Sequence, residues 1–152
     1  MIILGIDPGS KMVGYGLLEK NGQKLNFLEA GLLKIKSPLP YNLIEIETGL
    51  LKLIRKYHPE KIAIEKIFFM KNQKTGIDVS QARGVILLAA LKNKIEIAEY
   101  APNEVKLAVA GYGLANKKGV EKMVKLILNK PELKMIDDAI DALALAITSA
   151  NR

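Results

Sequence analysis

Ile2-Ile3-Leu4-Gly5-Ile6-Asp7-Pro8-Gly9-Ser10 opens the chain with an apolar run closed by turn chemistry. Proline presets φ and glycine frees the backbone, so the run predicts a short strand that stops at Asp7. Its residues are apolar at successive positions, not alternate ones, which is the pattern of a strand buried on both faces.

Outward from this strand, Met12 to Glu19 reads as a second strand, and Leu25 to Ile35 as a third after the Asn21-Gly22 turn. Spacing this tight predicts an antiparallel meander. Between Tyr41 and Tyr57 the positions Leu43, Ile46, Leu50, Leu53 and Ile54 recur mainly at intervals of three and four, which predicts an amphipathic helix ended by His58-Pro59. Ile62-Ala63-Ile64 then forms a buried strand with Glu65 at its end. A helix leading into a buried strand implies a crossover and a parallel neighbour. If that neighbour is the first strand, Asp7 and Glu65 emerge side by side at the carboxyl edge of the sheet, where α/β proteins place their sites.

Lys66 to Ile77 shows no clear periodicity and reads as a loop. The helix expected from about Asp78 to Asn93 is apolar on most faces, more than one side of a sheet covers, so it is either sandwiched in the core or packed on a second copy. In so short a chain the second copy is favoured. Ile95 to Tyr100 is a fifth strand, and helices follow after Pro102, over Asn116 to Leu128 and over Ile136 to Ala150. The expectation is an α/β fold, a mixed five-stranded sheet with helices on both faces.

The chain has 152 residues, enough for one core, so a single domain over 1–152 is expected. No apolar stretch reaches membrane-spanning length, and Met1 to Asp7 lacks the basic leader of a signal peptide, which points to the cytoplasm. Without cysteine, and with His58 as the only histidine, thiolate chemistry, a Ser-His-Asp site and a multi-histidine zinc site are disfavoured. Any metal must be held by oxygen. The formal net charge is +7, and between residues 105 and 134 seven lysines, among them Lys106, Lys117 and Lys118, face only Glu121 and Glu132. Such a patch suits polyphosphate.

The last helix carries Asp137, Asp138 and Asp141 on an otherwise nearly apolar surface, with Ile136, Ile140, Leu143 and Ile147 as its core stripe. Asp138 and Asp141 stand roughly 60° apart around the axis, and Asp137 and Asp141 roughly 40°. Spacing does not rank the two pairs. Clustered carboxylates repel one another unless a cation neutralises them, so these acids with Asp7 and Glu65 predict a hard divalent ion, Mg²⁺ or Mn²⁺. Two such ions about 3.5 to 4 Å apart can activate water and stabilise a leaving oxygen in phosphodiester cleavage.

Gly5-Ile6-Asp7-Pro8-Gly9-Ser10, Gly14-Tyr15-Gly16, Ala63-Ile64-Glu65, Gln81-Ala82-Arg83-Gly84 and Asp138-Ala139-Ile140-Asp141-Ala142-Leu143-Ala144 form an ordered set along nearly the whole chain. That set resembles the bacterial RuvC Holliday junction resolvases. The resemblance implies an RNase H-like fold, a homodimer, Mg²⁺-dependent paired nicking of four-way junction DNA, and partnership with the RuvA and RuvB branch-migration proteins. It implies Asp7, Glu65, Asp138 and Asp141 as the catalytic and metal-holding acids, with Asp137 a neighbour. It also implies DNA-contacting roles for Phe68, which would stack on opened bases, and for Lys106 and Lys117 or Lys118. Other RNase H-like nucleases, an actin-like ATPase lobe and a catalytically inactive junction-binding module are the alternatives. The Asp-Pro-Gly and Asp-x-x-Asp signatures and the short chain weigh against the first two.

Overall fold

A computed structural model describes residues 1–66 and 73–152. The element order is β1 (Ile2–Asp7), β2 (Gly14–Asn21), β3 (Lys24–Leu32), α1 (Asn42–Tyr57), β4 (Lys61–Glu65), α2 (Gln73–Lys92), β5 (Glu96–Tyr100), α3 (Pro102–Ala110), α4 (Lys117–Ile127) and α5 (Asp137–Ala150). The strands lie in the order β3-β2-β1-β4-β5. The first three form the antiparallel meander, reversing through Gly22 at φ 60°, and β4 and β5 extend the sheet in parallel to β1. The sheet is thus mixed, as the alternation of short turns and a helical crossover requires.

Side chains alternate across the sheet, and this separates two cores. Leu4, Ile6, Leu17, Ile62 and Ile64 face α1 and α2, where they join Ile46, Leu50, Ala82 and Ile86. Ile3, Leu18 and Ala63 face the other side, where they join Ile140, Leu143, Ile147 and the buried residues of α3 and α4. Helices therefore cover both faces. The residue two beyond Gly5 on β1 is Asp7, and the residue two beyond Ala63 on β4 is Glu65, so both acids belong to the face that α5 covers. The register Gly5↔Ala63 and Ile6↔Ile64 puts them level with each other.

Helix α5 is buried almost throughout from Ala139 to Ala150 because α3 and α4 cover the side that the sheet does not. The expected core position Ile136 is instead 56% exposed. It is the N-cap, with extended φ/ψ, so the helical stripe does not reach it. Helix α2 begins at Gln73, not near Asp78, and takes up most of the second half of the expected 66–77 loop. One face of α2 packs into its own core through Ala82, Ile86, Ala89 and Ala90, while Ile77, Leu88 and Leu91 stay exposed. Both packing modes expected for this helix thus have a surface available to them.

The meander is tied to α1 by Glu29, whose carboxylate accepts from the Tyr15 hydroxyl at 2.7 Å, from Lys56 at 2.8 Å and from the Tyr57 hydroxyl. The hydrogen bonds from Lys56, Tyr57 and Tyr15 bring its pKa down from 4.5 to about 2. A depressed carboxylate stabilises the fold above its unfolded pKa, and that contribution is lost as pH falls from 4.5 towards 2.

Candidate active site

Asp7 ends β1 at the point where Pro8 breaks the ladder, and Glu65 ends β4. What brings α5 to these two acids is the absence of side chains beneath it. A Cβ on Gly5 would collide with the carbonyl oxygen of Ala142, and one on Gly14 with the carbonyl oxygen of Asp138. A Cβ on Gly16 would lie 2.8 Å from the Leu143 side chain and backbone nitrogen. Gly5 and Gly14 thus let a helix backbone rest directly on a strand backbone, closer than any larger residue permits. The first turn of α5 is thereby laid beside Asp7 with Asp138 and Asp141 attached.

The outcome is a cleft of ≈ 210 Å³ lined by Asp7, Glu65, Asp141, Pro102, Lys106 and Lys117, with apolar walls from Val105, Val120, Ala144 and Leu145. Asp138 is half-buried on the β2 side of Asp7, close enough to act on its charge. Asp137, by contrast, is 71% exposed. Helix geometry alone does not rank Asp137 against Asp138, but burial separates the two, because only Asp138 is set down on the Gly14 bed.

Electrostatically the cluster is poised for a cation. Burial first, then Asp141, Glu65 and Asp138, push the Asp7 carboxyl up from 3.8 to about 7, opposed only by Lys117. Burial and Asp141 raise Glu65, and burial likewise raises Asp141, against the lowering influence of Lys117 and Lys106. Among the described residues no three acidic or histidine side chains stand close enough to hold a metal ion as they are. The donor set itself is hard, anionic and all oxygen, which fits a divalent cation.

Two supporting residues carry no signal that spacing arguments detect. Arg83, on α2, reaches around the sheet end, donating from Nε to the Glu65 carbonyl at 3.4 Å and pairing with Glu99 on β5. Its signal is a cation, only 15% exposed, within an otherwise apolar helix face. On the junction cleavage that the resemblance implies, Arg83→Met is expected to cut the rate at least tenfold with little change in junction affinity, a split that rate and binding measurements on the same junction resolve. Asn42, 1% exposed, donates from Nδ2 to the Ser10 carbonyl at 2.9 Å and so pins the loop that follows Asp7. It occupies the position one turn before Ile46 on the buried stripe of α1, and a polar residue there was the available clue.

Of the residues the resemblance implies for DNA contact, Lys106 and Lys117 line the cleft, and Lys118 points to solvent outside it. Phe68 lies outside the described residues.

The family model for crossover junction endodeoxyribonuclease RuvC matches residues 3–149. The chain belongs to the RuvC family. It is 48% identical to crossover junction endodeoxyribonuclease RuvC of Halothermothrix orenii, over 99% of this chain and 93% of that one, and 46% identical to that of Alkaliphilus metalliredigens with the same coverage. A solved structure of T. thermophilus RuvC in complex with Holliday junction substrate superposes with a TM-score of 0.91 at 33% identity, covering 99% of this chain and 93% of that one. Ydc2, the yeast mitochondrial Holliday junction resolvase, shares the fold alone, with a TM-score of 0.68 at 15% identity over 97% of this chain and 78% of its own. The mixed sheet and its flanking helices are accordingly those of an RNase H-like domain of RuvC type.

Proposed function

We propose that Asp7, Glu65, Asp138 and Asp141 are the acids with which this RuvC-family endonuclease resolves four-way DNA junctions, within one domain spanning 1–152. The observation that carries the reading is the convergence of Asp7, Glu65 and Asp141 on one cleft with Asp138 beside Asp7, where burial and these neighbours push the Asp7 carboxyl up, an arrangement that favours a divalent cation over protons as pH rises. Two Mg²⁺ ions, replaceable by Mn²⁺, would supply the Lewis acidity that makes water nucleophilic and stabilises the leaving oxygen. The chain's own contribution is geometric: Asp7 and Glu65 hold ligating oxygens at a strand edge, α5 delivers two more, and the apolar walls limit solvent. Lys106 and Lys117 sit where a backbone phosphate entering the cleft meets positive charge, which aligns the scissile bond and strengthens binding without reading sequence. Lys118 serves the outer path of the strand. Phe68, beyond Glu65 in sequence, supplies an aromatic face for bases opened at the junction centre.

Cleavage of a synthetic four-way junction, compared with linear duplex DNA and structured RNA under metal titration, tests the assignment. Paired nicks in the junction alone, abolished by chelation, are expected. Equal cutting of the RNA would move the chain to another RNase H-like specificity. Tight junction binding with no nicks in Mg²⁺ or Mn²⁺ would make it a binding module.

Two nicks need two sites, and the exposed stripe of α2 supports a homodimer. Ile77, Gln81, Gly84, Leu88 and Leu91 follow one another at spacings of four, three, four and three, all exposed, and a Cβ on Gly84 would meet nothing within 4 Å. That is the repeat with which one helix packs along another, and a two-fold axis there would present two clefts to a nearly two-fold substrate. Leu88→Glu is expected to shift the mass in solution from dimer to monomer at micromolar concentration, as read by light scattering. A wild-type protein that is monomeric under the same conditions would remove the interface. Family membership also supports association with RuvA and RuvB, and with it a cytoplasmic place of action. Among the described residues no helix is long and apolar enough to cross a membrane.

A further inference from the structure

Asp137 stands outside the four acids, yet it is not idle. The Lys117 Nζ lies 3.7 Å from Asp137 Oδ2 and 3.8 Å from Asp141 Oδ2, equidistant between a cleft carboxylate and an exposed one. Lys117 is the first residue of α4 and Asp137 the first of α5, so two helix N-termini face each other across the cleft mouth. Asn116 fixes the start of α4 by accepting from the Gly119 N–H at 2.8 Å. A lysine at a helix N-terminus opposes the local dipole, and only neighbouring carboxylates make the position favourable. Both contacts are longer than a hydrogen bond, and Lys117 is 72% exposed, so the ammonium is held loosely and exchanges partners at little cost.

We propose that Asp137 is a positioning residue for Lys117: it offers the ammonium a second carboxylate just outside the metal-holding set, onto which Lys117 withdraws from Asp141 when cations load. This rests on the metal-dependent reading above. Without Asp137 the ammonium has Asp141 alone, and it competes there with the incoming divalent ion. With Asp137, the lysine stays at the rim during loading, within side-chain reach of a phosphate that enters the cleft. A single charge beside a divalent ion at roughly 6 Å in a water-like dielectric changes affinity about tenfold.

The test is a double-mutant cycle on the full chain without DNA, with Mn²⁺ as the probe and free Mn²⁺ followed by electron paramagnetic resonance at low ionic strength, where screening leaves the charge effect intact. Lys117→Met is expected to tighten Mn²⁺ binding by no more than about threefold, because Asp137 already holds the ammonium at the rim. Asp137→Asn is expected to weaken it about tenfold when Lys117 is present and by no more than about threefold in the Lys117→Met background, since the effect runs through the lysine. Asp137→Glu restores wild-type affinity. Equal weakening by Asp137→Asn in both backgrounds would mean that Asp137 acts on the ion directly, and the proposal would be wrong. A wild-type chain that binds no Mn²⁺ would sink the metal reading itself, a result distinct from bound Mn²⁺ with no coupling.

Discussion

Asp7→Asn is expected to abolish junction cleavage, by at least about 1000-fold, while junction affinity stays within about threefold of wild type. On the proposed assignment the loss follows from removing the central carboxylate of the metal-holding set, and a lost metal-ion or electrostatic contribution of about 4 kcal/mol corresponds to that factor. Affinity is expected to persist because Lys106 and Lys117, the lysines proposed to meet phosphate, are untouched. The same substitution carries a second signature of opposite sign. Asp7 has its pKa raised from 3.8 to about 7, so the folded metal-free protein resists its ionisation. The fold is free of this penalty below pH 3.8, and stability is lost as pH rises from there through about 7. The penalty on the ionised form is about 4 kcal/mol at most, the free-energy equivalent of moving the carboxyl that far. Asparagine carries no charge and escapes it. Metal-free Asp7→Asn protein is therefore expected to melt several degrees above wild type at pH 8 and to match it at pH 4. Divalent metal should close the gap by stabilising wild type alone. A variant that melts with wild type at every pH, or that still nicks junctions at the wild-type rate, would overturn the central role of Asp7.

Gly5→Val is expected to be as damaging by a purely steric route. Its side chain would occupy the space of the Ala142 carbonyl, which is backbone and has no rotamer into which to retreat. The helix must lift, which separates Asp138 and Asp141 from Asp7 and opens the core around Leu143 and Ile147. A cost of about 3 to 5 kcal/mol is expected, seen as a fall in melting temperature of about 10 °C or more together with loss of cleavage. Gly5→Ala tests the same contact with one carbon, and should be intermediate in stability and strongly impaired in rate. If Gly5→Ala melts and cuts as wild type does, α5 does not rest on β1 in the way described.

These two positions mark what sequence reasoning can and cannot reach. The strand ending in Asp7 and the strand ending in Glu65 were legible because apolar runs bounded by turn residues announce themselves, and the intervening helix forced a parallel pairing. The contact of α5 with the sheet was not legible, because a glycine in a strand reads as a neutral element of a motif until something is found lying against it. The same contact explains why helix spacing could not rank Asp137 against Asp138: the choice is made by which residue sits over Gly14, a tertiary fact. Ile136 was misplaced for a local reason, since a capping residue departs from the helical phase that periodicity extrapolates. The early start of α2 was missed because Gln73, Lys74, Thr75 and Gly76 offer no apolar rhythm, and Gly76 ranks among the poorest helix formers. Arg83 stood inside a motif without a task until its reach to the Glu65 carbonyl was seen.

The division of the hydrophobic interior by the sheet has a further meaning for how such a protein can change. Residues that build the α1 and α2 side are largely insulated from those that hold the carboxylates, so the α2 surface proposed as an interface can drift in sequence while the site stays constant. Arg83 and Asn42 cross that division, both rooted on the α1 and α2 side, Arg83 touching the end of β4 and Asn42 the loop that follows Asp7. If the chain pairs through α2 as proposed, any influence of pairing on cutting has a short mechanical path in the Arg83 guanidinium.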